Sequence, residues 1–237
     1  MIINEVDNRE YIQQYLNTVD FQKNDYCQIL VIRRKKDAGN EQVSQHVKTI
    51  KCYIVNKENF QQAADEALKI ARAFNARVYI NPSPKNLKDV NYHLALEFMN
   101  EQYFGNFSNP YAKVNSVFAQ LPGKSATRIL MFDVDNNAHF NVESLVAMIR
   151  GVIENHKLRH DEQKIEVACI PSVSGKHILC RSFNTQKFDE IMTSKGFTVT
   201  EDGKYQYNGD TFFELKKNSF TLVYACTNTE YLNKSTI

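Results

Sequence analysis

Residues 129–135 read Ile-Leu-Met-Phe-Asp-Val-Asp, an apolar run that ends in two carboxylates one residue apart. Alternate side chains of a strand share a face, so a strand here delivers Asp133 and Asp135 side by side at its end. Paired carboxylates are hard oxygen donors of the kind that Mg2+ and Mn2+ take. Further on, Pro-Ser-Val-Ser-Gly-Lys-His-Ile-Leu-Cys sets Ser174 and His177 at the start of a second apolar strand. A third run, Phe212-Phe213-Glu214-Leu215, brings one more acid, and an acid inside an apolar run is costly unless it has a partner. Asp210 follows Gly209 in Tyr-Asn-Gly-Asp and is explained by a hairpin turn.

The elements that must position these residues follow from periodicity. A short helix is expected over 8–17. Apolar, β-branched runs at 27–34 and 47–55 suggest a long hairpin with a polar tip. Phe60, Ala63, Ala64, Ala67, Leu68, Ala71 and Phe74 recur at helical spacing, with Asn75 as a left-handed stop. A strand over 77–80 is expected to end at Asn81-Pro82-Ser83-Pro84, and a helix to cover 86–103. Residues 105–127 read as an irregular connector and as the internal boundary. Beyond it come a strand at 128–134, a helix at 141–155, strands at 164–170 and 176–182, and a helix at 185–195 stopped by Gly196. Strand-like runs at 197–201, 204–207, 211–216 and 220–226 complete the chain. The expected fold is α/β in the broad sense, α+β in detail. An N-terminal α/β unit spans 1–120, and a catalytic unit of βαββαβ, RNA-recognition-like plan spans 121–237. The catalytic unit is expected to form one mainly antiparallel sheet over 128–226 with two helices on one face, and to pack on the first unit across a cleft. In that plan the first strand, with Asp133 and Asp135, lies between the third, with His177, and a late strand, with Glu214.

The bulk properties narrow the function classes. The 237 residues are 43% hydrophobic and 24% charged, ordinary values for a globular protein with a real core. The net charge of +2 is no nucleic-acid signature, so any such surface must be local. No apolar run approaches the roughly 20 residues that span a bilayer, and the N-terminus lacks the pattern of a secretory signal. No membrane association and a cytoplasmic location are expected. The five cysteines, Cys27, Cys52, Cys169, Cys180 and Cys226, form no Cys-x-x-Cys pair and read as reduced core residues rather than zinc ligands. His156 and His160 have helical ligand spacing, but at a helix end rich in charge they read as a solvated terminus, so no zinc is expected. Arg33-Arg34-Lys35-Lys36 reads as a charged hairpin tip.

Taken in order, Phe132-Asp133-Val134-Asp135, Ser174-Gly175-Lys176-His177 and Phe213-Glu214 resemble the motifs of the archaeo-eukaryotic primase (primase-polymerase) superfamily. The resemblance covers about residues 75–226 as a pattern. Lys217 and Thr221-Leu222-Val223-Tyr224 are similar to forms carried by phages and mobile elements. The third acid is Glu where the family usually has Asp, and the chain ends without the helical or zinc-bearing partner domain that many primases use to initiate. The resemblance implies that Asp133, Asp135 and Glu214 hold two Mg2+ or Mn2+ ions. It implies that His177 binds a phosphate of the incoming nucleotide beside the Ser174-Gly175 backbone, where Gly permits close approach to an anion. Lys176 lies on the opposite strand face. Arg181 shares the face of His177 as a phosphate or template contact, and Arg77 and Lys85 are candidate nucleotide or template contacts beside the Pro-rich turn. The implied partners are a DNA template and primer, nucleoside triphosphates, and a helicase or separate accessory domain. Two other readings compete: a primase-like module that binds nucleic acid or nucleotide without turnover, and a haloacid-dehalogenase-like phosphatase with Asp133 as nucleophile and Asp135 as acid-base.

Overall fold

The computed structural model describes residues 3–34, 47–105, 110–121, 128–135, 141–158, 167–217 and 219–228. His160, Lys35 and Lys36 lie outside them. The described residues form α+β structure with two antiparallel sheets. The chain divides into one unit of Met1–Lys124 with Leu222–Ile237 and another of Ser125–Thr221.

The first unit contains β1 (Ile3–Asp7), α1 (Arg9–Thr18), β2 (Asp25–Arg34), β3 (Val47–Val55), α2 (Phe60–Phe74), β4 (Arg77–Asn86), α3 (Leu87–Phe104), α4 (Pro110–Gln120) and all of β11 (Thr221–Asn228) but its first residue, Thr221, which closes the second unit. Its sheet runs β1-β11-β4-β2-β3. The predicted stripe of α2, from Phe60 to Ala71, is buried against the sheet. Asn75 ends the helix at φ 47° and ψ 56°, the left-handed stop expected of it.

Three expectations are corrected here. The strand expected to stop at Asn81 continues to Asn86 through both prolines. It does so because the β2–β4 ladder is broken at this point: Gln28 pairs with Asn81 and Tyr26 with Lys85, so Pro82, Ser83 and Pro84 are looped out opposite Cys27. A bulge needs no ladder N–H from proline, and the Asn81 side chain accepts from the Ser83 N–H at 3.0 Å. The connector expected over 105–127 contains α4. Pro110 opens that helix, at a position where its missing N–H costs nothing, and Val117 and Phe118 pack on Val90 and Leu94 of α3. The strand expected over 220–226 in the second unit is β11, which lies between β1 and β4 in the first sheet. Leu222, Val223, Tyr224 and Ala225 are all buried, so both faces of this strand are covered, as its unbroken apolar run requires.

The second unit contains β5 (Ile129–Asp135), α5 (Val142–Asn155), β6 (Val167–Pro171), β7 (Gly175–Arg181), α6 (Thr185–Ser194), β8 (Thr198–Val199), β9 (Lys204–Tyr207) and β10 (Asp210–Lys217). Its sheet runs β6-β7-β5-β10-β9-β8. Asparagine caps both helices: the Asn141 side chain accepts from the Glu143 N–H at 2.8 Å, and that of Asn184 from the Lys187 N–H at 3.0 Å. Leu130, Phe132 and Val134 of β5 meet Leu145, Ile149, Val152 and Ile153 of α5 and Phe188 and Met192 of α6 in one core. Both helices therefore cover the same sheet face. Phe132 centres an aromatic group, 5.3 Å from the Phe213 ring and 5.8 Å from that of Phe188. Asn208 and Gly209 take positive φ in a two-residue hairpin between Tyr207 and Asp210, the turn expected there.

Lys85 is only 2% exposed and serves the first unit's helix packing. Its ammonium donates to the carbonyls of Phe118 and, at 3.2 Å, Ala119, at the negative end of α4. Burial pushes this group from its ordinary 10.5 down to about 8. The folded-state value lies below the unfolded one, so the unfolded chain binds more protons between about pH 8 and about pH 10.5. Stability from this group is therefore lowest below pH 8 and rises through that window. Lys85→Met is expected to cost about 2 kcal/mol at neutral pH by orphaning the two carbonyls. Urea unfolding should show the deficit relative to wild type widening as pH rises above 8. A deficit that is absent, or that does not change with pH, contradicts this account.

Candidate active site

On the sheet face opposite the helices, pleating and register assemble a polar row. Asp133 of β5 is paired directly with His177 of β7 on one side and Glu214 of β10 on the other. Asp135 is paired with Gly175, and the Ser174 hydroxyl donates to Asp135 Oδ1 at 3.2 Å. The three motifs, far apart in the chain, thus converge because three antiparallel strands bring them into one register. Val134 pairs with Lys176, which puts Lys176 on the other face, as parity predicts. Asp210 sits at the turn end of β10, opposite Tyr207 and four positions from Glu214.

The row contains a residue that motif reading passed over. The Lys216 ammonium is 2.6 Å from Asp133 Oδ2 and 3.2 Å from Glu214 Oε2, bridging the two acids across adjacent strands. Lys216 follows Glu214 by two positions and so shares its face; Glu-x-Lys on a strand was the available signal. Burial is the largest single influence on this ammonium and lowers its pKa, but Asp133 and Glu214 together outweigh it and the net shift is upward. It is therefore a cation at neutral pH. Like charges directly opposite each other on neighbouring strands repel, and Lys216 offsets that repulsion. Lys204 is the register partner of Glu214, yet its ammonium turns to Asp202 in its own hairpin.

His177 is 8% exposed. Its Nδ1 shares a 2.9 Å hydrogen bond with the Thr221 hydroxyl, and its Nε2 stands 3.5 Å from Asp133 Oδ1. Burial pushes its pKa below the ordinary value, against the pull of Asp133, so the ring is neutral at neutral pH. Thr221 is fully buried and is a second partner that the motifs did not reveal.

The other expected contacts lie outside this row of paired strand residues. Arg181 shares the face of His177, but it pairs with Ile129, four residues from Asp133, which is roughly 13 Å along the strand. Arg77 and Lys85 belong to β4 in the first unit; Arg77 is buried, and the Lys85 ammonium is taken by α4. Among the described residues, no group of three or more His, Cys, Asp or Glu side chains stands in metal-holding geometry. The Lys216 ammonium lies between two of the three acids, Asp133 and Glu214. No described helix is long and apolar enough to cross a membrane. Comparisons with protein families, with curated proteins and with solved structures find no match to this chain.

Gly175 has a structural reason to be glycine. A Cβ there would lie 1.9 Å from the Val134 carbonyl oxygen and 2.9 Å from the Asp135 Cα, both backbone atoms that cannot move alone. Gly175→Ala is expected to force β7 away from β5 at the point where Asp135 and Ser174 meet, with a loss of about 1–3 kcal/mol. Thermal unfolding checks the loss, and amide exchange at Asp135 checks its location. Wild-type stability and unchanged protection would refute the close approach.

Proposed function

We propose that the second unit is the catalytic core of a primase-polymerase-type nucleotidyltransferase, which extends or starts a primer on a DNA template from nucleoside triphosphates. The observation that carries this reading is the row His177–Asp133–Glu214 on three adjacent strands, with Asp135, Ser174 and Gly175 next to it. The sheet order β6-β7-β5-β10, with α5 and α6 on one face, supports a split βαβ, RNA-recognition-like unit to which the β8–β9 hairpin is added. That is the plan the primase resemblance implies, and the register of Asp133 with His177 and Glu214 on adjacent strands supports it.

The donor set of Asp133, Asp135 and Glu214 fits hard divalent ions: all three supply carboxylate oxygens, and the Lys216 ammonium already marks a place where positive charge is stabilised. Mg2+ or Mn2+, when bound, would activate a primer 3′-hydroxyl and stabilise the leaving pyrophosphate. The chain's own residues do the rest. With the Thr221 hydroxyl donating to Nδ1, the neutral His177 ring carries its proton on Nε2, facing the acid row, where it can donate to a phosphate oxygen. Ser174 holds Asp135 in orientation through its hydroxyl. A helicase or accessory domain is the further partner this reading calls for.

One observation favours the non-catalytic binding module instead: Lys216 already satisfies Asp133 and Glu214, as it would in a site that no longer turns over. The phosphatase reading has less support, because β5 is antiparallel to both of its neighbours, whereas the haloacid-dehalogenase-like family carries its Asp-x-Asp motif on a parallel sheet.

Primer extension and gel-shift binding on one preparation separate the first two readings. Wild-type protein is expected to extend a primed DNA template with Mg2+ or Mn2+. Asp133→Asn should abolish extension while keeping the wild-type circular dichroism spectrum, because Asn keeps the size of this side chain, which stands outside the apolar core. DNA binding without extension, under any nucleotide set and either metal, would hand the site to the binding module.

A further inference from the structure

The second sheet holds its acids together with a cation of its own. The Lys216 ammonium contacts one carboxylate on each of two neighbouring strands, at 2.6 Å and 3.2 Å. Those carboxylates, Asp133 and Glu214, are register partners, so the position between them is the one an ion shared by both must take. And Lys216 is the penultimate residue of β10, with its side chain 31% exposed, so a flexible four-carbon stem can swing the charge into water without disturbing the ladder. Lys204, the register neighbour of Glu214, shows the contrast: its ammonium makes its ion pair with Asp202 and feels Glu214 only at longer range.

We infer that Lys216 is a tethered counterion that occupies the divalent-metal position of the acid row and must leave it before a metal can bind. This inference rests on the nucleotidyltransferase reading of that row. In the metal-free protein the ammonium suppresses repulsion between Asp133 and Glu214 and keeps both side chains aimed at one point. A divalent ion brings twice the charge and binds the same oxygens directly, so the two cations exclude each other. Metal affinity is then set by a competition internal to the chain: the site is preorganised, but metal binding must displace a resident ion pair. Exclusion of this kind lowers the apparent metal affinity by a constant factor and leaves the one-site form of the binding curve unchanged.

The exclusion makes Lys216→Met informative, since Met keeps the length and apolar stem and removes the charge. Mn2+ binding to the full chain is read by loss of the free-ion paramagnetic resonance signal, which needs neither DNA nor nucleotide. The variant is expected to bind Mn2+ about fivefold more tightly than wild type, the equivalent of losing one favourable ion pair from the competing state. In the metal-free protein the variant should melt below wild type, and saturating Mn2+ should raise its melting temperature by more than it raises that of wild type. Lys216→Met/Asp133→Asn should lose the tight binding, which assigns it to this row. Lys216→Gln serves the same purpose if the Met variant does not fold. Equal or weaker Mn2+ binding by the Lys216 variants, with wild-type binding intact, would overturn the counterion role and leave the metal reading standing. If neither wild type nor variant binds Mn2+, the metal reading fails and the inference fails with it.

Discussion

Everything at the candidate site depends on one constraint, the in-register antiparallel pairing of three strands. Asp133 has His177 opposite it on β7 and Glu214 opposite it on β10. Side chains alternate along each strand, so a slip of one residue on any of the three would turn its functional group into the helix-covered core. The apolar partners of the same strands prevent that slip. Leu130, Phe132 and Val134 of β5, Ile178 and Cys180 of β7, and Phe213 and Leu215 of β10 all face the core. Packing of α5 and α6 on one side of the sheet thereby fixes the chemistry on the other.

The electrostatics follow from this placement. Three carboxylates held on one face by the backbone need positive charge nearby, and Lys216 supplies it from the same strand as Glu214. His177 does not supply it, because burial keeps the ring neutral. The two basic side chains at the row therefore differ in character. One is a cation on a movable stem, and the other is a neutral ring held by Thr221. That division suits a site where a metal and a phosphate must be handled by separate groups.

How much was legible in the sequence depended on whether a signal was local. The apolar-acid run of β5, the alanine stripe of α2 with Asn75 at its end, and the Asn208-Gly209 turn all carry their cause within a few residues, and the structure has them as read. So does the shared face of Asp133 and Asp135. What was misread depended on partners elsewhere. Pro82 and Pro84 look like a strand end until β2 supplies a bulge to accommodate them. Pro110 looks like a breaker, although it is a good first residue for the helix that Val117 and Phe118 anchor. Thr221-Leu222-Val223-Tyr224 reads as a strand in any register, and only the gap between β1 and β4 decides which sheet it joins. Lys85 reads as a ligand contact because it stands beside the Pro-rich turn, but the carbonyl end of α4 takes its buried ammonium. Lys216 was overlooked because a lysine near acids on a strand is common; its importance lies in bridging two strands rather than in its spacing.

The central claim is that the row of acids on β5 and β10 is a divalent-metal site. Anomalous diffraction from crystals soaked in Mn2+ with a non-hydrolysable nucleoside triphosphate tests it most directly. The account predicts an anomalous peak about 2.1 Å from carboxylate oxygens of Asp133 and Glu214, with Asp135 as a further ligand, phosphate oxygens completing the shell, and the Lys216 ammonium displaced from between the acids. A peak bonded to His177 Nε2, or no peak at the row with Lys216 still bridging Asp133 and Glu214, would contradict it.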